Sequence, residues 1–284
     1  MVLRPFLYAP GSCASYLFGC TTHGTLAVVD PHVELVAGYL EAASSAGEIV
    51  AVLETHIQAD HVSGLPDLVD RYLEAAERAG SPIVAVFETH VQADHVSGLP
   101  ELVARTGATA YLPAGAKVDF AHHALEDGER VELGNTIVTA MSTPGHAPAH
   151  HAFVVADRRR GTDEPWLVFT GDSLLVNDVG RPDLHAGGAD PRPLALEQHA
   201  SIARLMGLPD HVVVYPSHYG GSVCGRGLSG NPISSIGFER LHNRALEQLD
   251  AEAFADALLE DLPPAPPDQA AIVAANRAGA AVSR

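Results

Sequence analysis

The sequence predicts a layered α/β fold, and three observations predict it. Short, uniformly apolar runs, IVAV at 49–52 and again at 83–86, alternate with stretches of helical spacing. A strand-rich middle follows, with turn residues between the runs ATAYLP, ERVEL, NTIVTAMS, HAFVVA and PWLVFTG. At 284 residues and 46% hydrophobic composition, the chain is long enough to bury a substantial core.

In chain order, ASYLFG and TLAVVDP read as early strands. HVELVAGYLEAASSAG has helical spacing and ends at Gly47, a residue suited to close a helix. Each IVAV run is β-branched and apolar throughout, as in a strand buried on both faces. GLPDLVDRYLEAAERAG and GLPELVARTG read as the helices that follow them. LALEQHASIARLMG is a helix, and HVVVYP a strand running into the glycine-rich GGSVCGRGLSG. From about residue 233 the periodicity is helical, broken by LPPAPPDQ at 262–269.

One segment occurs twice. Residues 49–69 recur as 83–103, with 18 of 21 positions identical at an offset of 34. Two copies are too few for a solenoid, so the repeat reads as a duplicated strand–loop–helix unit inside one domain. The extra strand and helix are expected at a sheet edge.

Charge excludes some functions. Seventeen Lys and Arg against 35 Asp and Glu give a net charge of −18, which repels phosphate backbones and anionic headgroups. No nucleic-acid or membrane partner is expected. Lys117 is the sole lysine. Three cysteines with no CxxC pair, no basic-then-apolar leader and no run of 18 apolar residues lead to the expectation of a cytoplasmic protein. Sixteen histidines point toward metal chemistry.

Four segments place a metal-capable side chain just after an apolar strand. ETHVQADHVSG offers His90, Asp94 and His95; TPGHAPAHH offers His146; LVFTGDSLL offers Asp172; VVVYPSHYGG offers His218. Loops at strand ends are where a rigid scaffold presents reactive groups, so the four together suggest a metal crevice along one sheet edge. Any one of them alone reads equally well as turn and cap residues. His122, His123, His150, His151 and His185 show no such pattern and are assigned to the surface or to a supporting role.

In this order, TH-x-Q-A-D-H, T-P-G-H, T-G-D and P-S-H resemble the metallo-β-lactamase superfamily, which implies an αβ/βα four-layer sandwich. GDSLLVNDVGRPDL at 171–184 and SHYGGSVCGRG at 217–227 are similar to its persulfide dioxygenase (sulfur dioxygenase) branch, a relative of glyoxalase II. The resemblance runs from CASYLFG to the LPPAPPDQAAIVAANR segment. It divides the chain into a catalytic domain, 1–232, and a C-terminal helical extension, 233–284, packed on that domain. Gln92, and Gln58 in the other copy, stand where the superfamily pattern H-x-H-x-D-H has its second histidine. An amide oxygen is a poorer zinc ligand than imidazole, which weakens the hydrolase reading.

The resemblance implies one Fe(II) per chain held by His90, His146 and Asp172, with open positions for a low-molecular-weight thiol persulfide and O2. The implied reaction yields thiol and sulfite. Asp94, His95 and His218 match second-metal ligands of the glyoxalase II relatives; in a mononuclear site they would orient ligands or water. Arg226, Tyr219 and Cys224 are candidate substrate-binding residues, and Arg181 is expected to pair with Asp183. His56, Asp60 and His61 repeat His90, Asp94 and His95, but there is one His146, one Asp172 and one His218. The second copy, which runs directly into RTGATAYLP, is expected to complete the site. Two other readings stay open: a binuclear Zn(II) thioesterase of the glyoxalase II kind, and a metal-free, non-catalytic homologue disrupted by the duplication. A homodimer is one option for the assembly.

Overall fold

A computed structural model describes residues 2–8, 13–29, 35–54, 84–91, 97–161, 163–219, 225–247, 250–265 and 268–279. Two mixed sheets stack face to face. The first holds β1 (Val2–Tyr8), β2 (Cys13–Cys20), β3 (Thr25–Val29), β4 (Glu48–Glu54), β5 (Ala85–Glu88), β6 (Thr109–Pro113) and β7 (His123–Leu125), in chain order. β1 to β3 are antiparallel, and β3 to β7 run parallel. The second sheet contains β8 (Arg130–Leu133), β9 (Thr136–Ser142), β10 (His151–Asp157), β11 (Leu167–Gly171), β14 (Val213–Pro216) and β15 (Ser234–Ser235), in that order. β12 (Leu174–Leu175) and β13 (Asp178–Val179) form a separate small hairpin.

The period-2 alternation of side chains decides the layers. Tyr16, Phe18, Ala85 and Phe87 of the first sheet meet Val138, Phe153, Val155, Phe169 and Tyr215 of the second in the central core. The alternate residues Leu17, Val28, Val86 and Leu112 face outward onto α1 (Val36–Ser44) and α2 (Leu99–Thr106). Ala152, Val154, Val168 and Val214 turn the other way, onto α3 (Arg192–Leu205), α4 (Ile236–His242) and α5 (Ala251–Leu259). The result is helix, sheet, sheet, helix. Each fully buried Phe, Leu or Val contributes about 1.5–3 kcal/mol through lost contact with water. Residues of the 233–284 segment, Ile236, Phe254, Ala255 and Leu258, are buried in that last layer. α6 (Gln269–Ala278) lies apart from it, tied to the opposite half by Asp119 N–H donating to the Arg277 carbonyl at 2.7 Å.

The duplicated strand is not at an edge. β4 lies between β3 and β5, paired in parallel with its own copy: Ala51 opposite Ala85, Val52 opposite Val86, Leu53 opposite Phe87. An interior place pairs both rows of backbone N–H and C=O groups of an apolar strand, whereas an edge leaves one row unpaired. Residues 55–83, with His56, Asp60 and His61, lie outside the described residues. The sequence reading missed β1, whose Pro5 and polar flank mask its alternation, and the short β7, β12, β13 and β15. Among the described residues, no helix is long and apolar enough to cross a membrane.

Candidate metal centre

The C-terminal ends of β5, β11 and β14 meet the β9–β10 connection at one rim. β5 delivers Glu88, Thr89 and His90; β11 delivers Asp172; β14 delivers Ser217 and His218; the connection delivers His146 and His150. The sheets pinch together there. His90 and His150 form an antiparallel bridge, and His151 N–H donates to the Thr89 carbonyl at 2.9 Å. Two glycines allow the close approach. Gly145 sits at φ +137, where a Cβ would fall on Gln198, and a Cβ at Gly180 would overlap the Asp172 carbonyl.

His90, His146 and Asp172 are each at most 2% exposed. The ring centroids of His90 and His146 lie 5.0 Å apart, and that of His185 lies 5.5 and 5.1 Å from them. One nitrogen from each of these three rings falls within 4.8 Å of the other two. Asp172 joins from the side of His146, its Oδ2 3.3 Å from His146 Nε2. Its Oδ1 accepts from Ser217 Oγ at 2.6 Å and from His218 Nδ1 at 3.0 Å.

Neighbours fix the tautomers. His146 Nδ1 lies 2.9 Å from the Arg181 carbonyl, which can only accept, so the proton is on Nδ1 and Nε2 carries a lone pair. The His146 main-chain N–H donates to Gln198 Oε1 at 2.7 Å, and Gln198 Nε2 donates to the Ser173 carbonyl at 2.6 Å. One buried amide thus braces the loops of His146 and Asp172. His150 Nε2 accepts the Asp172 N–H at 3.3 Å, which leaves Nδ1 to donate to Thr143 Oγ1 at 2.8 Å. Thr89 Oγ1 lies 3.0 Å from His90 Nδ1.

The cluster favours neutral imidazole. Burial pushes His90 well below the ordinary histidine range, helped by His150 and His146 and opposed by Asp172. Burial likewise lowers His146, and with His146 beside it brings His150 to about 3. His185 is held well below its usual value by burial and by His146. Neutral imidazole is the form that binds metal. Next to His90, burial raises the Glu88 carboxyl to about 7 although the Ser97 hydroxyl donates to it.

A cation fits this donor set. His146 Nε2 and Asp172 Oδ2 face each other as two acceptors, and burial disfavours protonating the imidazole between them. Among the described residues, the buried His185 Nε2 has no hydrogen-bond partner. Both features are what a positive ion at this rim would satisfy.

The sequence-predicted residues divide into three groups. His90, His146, Asp172 and His218 come together. Asp94, His95, Gln92 and Cys224 lie outside the described residues. Arg226 lies elsewhere, donating to the carbonyls of Ala257 at 2.5 Å and Glu260 at 3.1 Å, whereas Tyr219, next to His218 in the chain, packs against the central core. Arg226 lines a cavity of about 450 Å³ with Asp178, Arg244, Glu247, Phe254 and Asp261, none of them a member of the histidine cluster. Arg181 is buried and bonded to Asp183, through Nε at 3.0 Å and a terminal nitrogen at 2.7 Å. Of the five histidines that sequence reasoning set aside, His150 and His185 have rings packed in the cluster. The only signal for His185 was its place four residues after Arg181 in the GRPDLH segment.

A second, smaller cleft opens beside the cluster. Val91, Lys117, Ala147, Pro148, His185, Val273 and Arg277 line it.

Comparison with known proteins gives the family. The profile described as Metallo-beta-lactamase superfamily matches residues 69–218. Over 255 residues the chain is 27% identical to "Persulfide dioxygenase ETHE1, mitochondrial" of Bos taurus, covering 89% of this chain and 79% of that one. The crystal structure of ETHE1 from Myxococcus xanthus superposes with a TM-score of 0.67 at 27% identity, covering 98% of this chain and 99% of that one. A metallo-beta-lactamase from Staphylococcus aureus subsp. aureus COL superposes with a TM-score of 0.74 at 26% identity, covering 100% and 74%. A buried histidine–carboxylate rim on a four-layer sandwich, with a profile match across most of the residues that build it, makes this chain a member of the metallo-β-lactamase superfamily.

Proposed function

We propose that the chain is a non-haem iron persulfide dioxygenase that converts a thiol persulfide, O2 and water to the thiol and sulfite. The observation that carries this reading is the buried set of His90, His146 and Asp172, together with Gln92 where a binuclear hydrolase has a further histidine. Similarity to the bovine persulfide dioxygenase over 89% of the chain supports it.

Fe(II) held by His90, His146 and Asp172 would supply the one-electron chemistry that O2 requires. The protein holds the donors. Arg181 and Gln198 fix the His146 ring and backbone, and Ser217 and His218 orient the Asp172 carboxylate. Burial of all three donors keeps bulk water away from the reacting sulfur. Lys117 and Arg277, both exposed at the adjoining cleft, place two cations at its mouth in a chain of net charge −18. They favour a thiol carrier bearing carboxylates, such as glutathione persulfide, with Val91, Ala147 and Val273 against its apolar part.

Metal analysis of anaerobically purified protein, with O2 uptake and sulfite formation from glutathione persulfide, tests the reading. One iron per chain and O2-dependent sulfite are expected. Two zincs per chain with thioester hydrolysis and no O2 uptake would overturn it, as would folded protein that binds no metal.

A further inference from the structure

Of the three rings whose nitrogens converge, His185 is the one that the family pattern does not call for. It ends the short turn Asp183–His185, which follows the buried Arg181. Arg181 clamps that turn from two sides, bonding Asp183 and donating to the Pro263 carbonyl at 2.5 Å. The His185 ring is therefore carried on an anchored segment rather than a loose surface loop. Its centroid lies 5.1 Å from that of His146 and 5.5 Å from that of His90, and both interplanar angles are steep, 73° and 72°. Rings that meet edge to face at this distance converge on a shared point instead of stacking.

Two independent observations point to a ligand at that point. A nitrogen of His185 lies within 4.8 Å of one nitrogen each from His90 and His146, a spacing one ion can bridge. Among the described residues its buried Nε2 has no hydrogen-bond partner, which leaves a desolvated polar atom uncompensated unless something binds there. Asp172, by contrast, meets the cluster through His146 and has its Oδ1 engaged by Ser217 and His218.

We infer that His185 is itself a metal ligand, so that the centre is a three-histidine set, His90, His146 and His185, with Asp172 as the fourth protein donor. The identity of the metal as iron rests on the proposed function above; the ligand assignment does not. A fourth protein donor leaves fewer open positions than two histidines and a carboxylate would, and it places one imidazole on the wall of the substrate cleft. A substrate entering between Lys117 and Arg277 then meets the metal from the His185 side.

The test is to count imidazoles on the metal in the full-length protein. Apo protein is loaded with Co(II), and separately with Fe(II), and examined by X-ray absorption and pulsed electron paramagnetic resonance. The wild type is compared with His185→Ala and His185→Gln. The wild type should show three coordinated imidazoles and each variant one fewer, with the Co(II) absorption bands changed and affinity reduced at least about 10–100-fold. Added imidazole should restore the His185→Ala spectrum. Should either variant fail to fold, two imidazoles in the wild type alone overturn the assignment, as does an unchanged count or spectrum in a folded variant. Loss of persulfide oxidation in an iron-loaded wild type that shows three imidazoles would overturn the proposed reaction and leave this ligand in place. Activity with only two imidazoles would do the opposite.

Discussion

His146 Nε2 and Asp172 Oδ2 lie 3.3 Å apart and both are acceptors, because the His146 proton is held on Nδ1 by the Arg181 carbonyl. Without a cation this contact is unfavourable, and with one it is a pair of ligands. Asp172→Asn separates the two states. The amide can keep Oδ1 toward Ser217 and His218 and turn its N–H toward His146. Metal affinity should fall sharply, while the metal-free protein should melt at the same temperature or higher, gaining about 1 kcal/mol from the new bond. Metal titration and thermal melts of apo protein check both halves.

Gln198 reaches both ligand loops through one side chain, accepting from His146 N–H and donating to the Ser173 carbonyl. Gln198→Leu keeps most of the volume but strands both buried groups. It should cost about 1–3 kcal/mol for each in denaturant unfolding. It should also weaken metal binding about 10–100-fold, since Gln198 orients a ligand without touching the metal. Unchanged metal affinity would separate its packing role from a positioning one.

The two copies of the repeat make opposite forecasts. His90 lies in the cluster, so His90→Ala should abolish stoichiometric metal binding, whereas His56→Ala should leave it intact. Metal content of the two purified variants decides the matter, and the reverse result would move the centre to the first copy.

Deleting residues 50–83 joins Ile49 to Val84 and recreates the same sequence across the junction. β5 could then take the place of β4 beside β3, with Ala85, Val86 and Phe87 opposite Ala27, Val28 and Val29, the partners that Ala51, Val52 and Leu53 have now. The shortened chain should fold and bind metal. Circular dichroism and metal content test it; an unfolded product would make the extra strand a required part of the sheet.

Asp127 links the β9 strand to α3, accepting from Ser142 N–H at 2.8 Å and from Arg204 at 2.8 and 2.9 Å. Partial burial alone would raise its pKa, but the Ser142 N–H and the Arg204 guanidinium outweigh that and hold it below the ordinary carboxylate value. A carboxyl lowered in the folded state stabilises above its unfolded pKa and loses that contribution as pH falls through the folded value. Asp127→Asn should therefore cost stability at pH 7, by less than about 1 kcal/mol for so exposed a pair, and less at pH 2 than at pH 7. Urea midpoints of both proteins at the two pH values measure it.

The sequence by itself determined that strands and helices alternate in layers, carried the motifs whose resemblance implies the four-layer sandwich, and marked the first candidate positions of the site. Which face of each strand meets the other sheet, as Phe18, Phe87, Phe153 and Phe169 do, was decided by the tertiary structure, because a strand apolar on both faces carries no period-2 signal. His90, His146, Asp172 and His218 were legible because each closes an apolar strand beside a glycine, proline or threonine, a local signature of a presented side chain. Only the tertiary structure decided where the duplicated strand goes. Its apolar sequence is identical in character to its copy and carries no address, and the choice between edge and interior depends on backbone partners far along the chain. The same holds for His185, Gln198 and Arg277. Each is distant in sequence from the residues beside it, and each is brought to the rim by an element packed across it: the Arg181-anchored turn, α3 and α6. Candidate ligands at strand ends are written in local pattern, whereas the groups that brace and surround them are set by which helices dock on that edge.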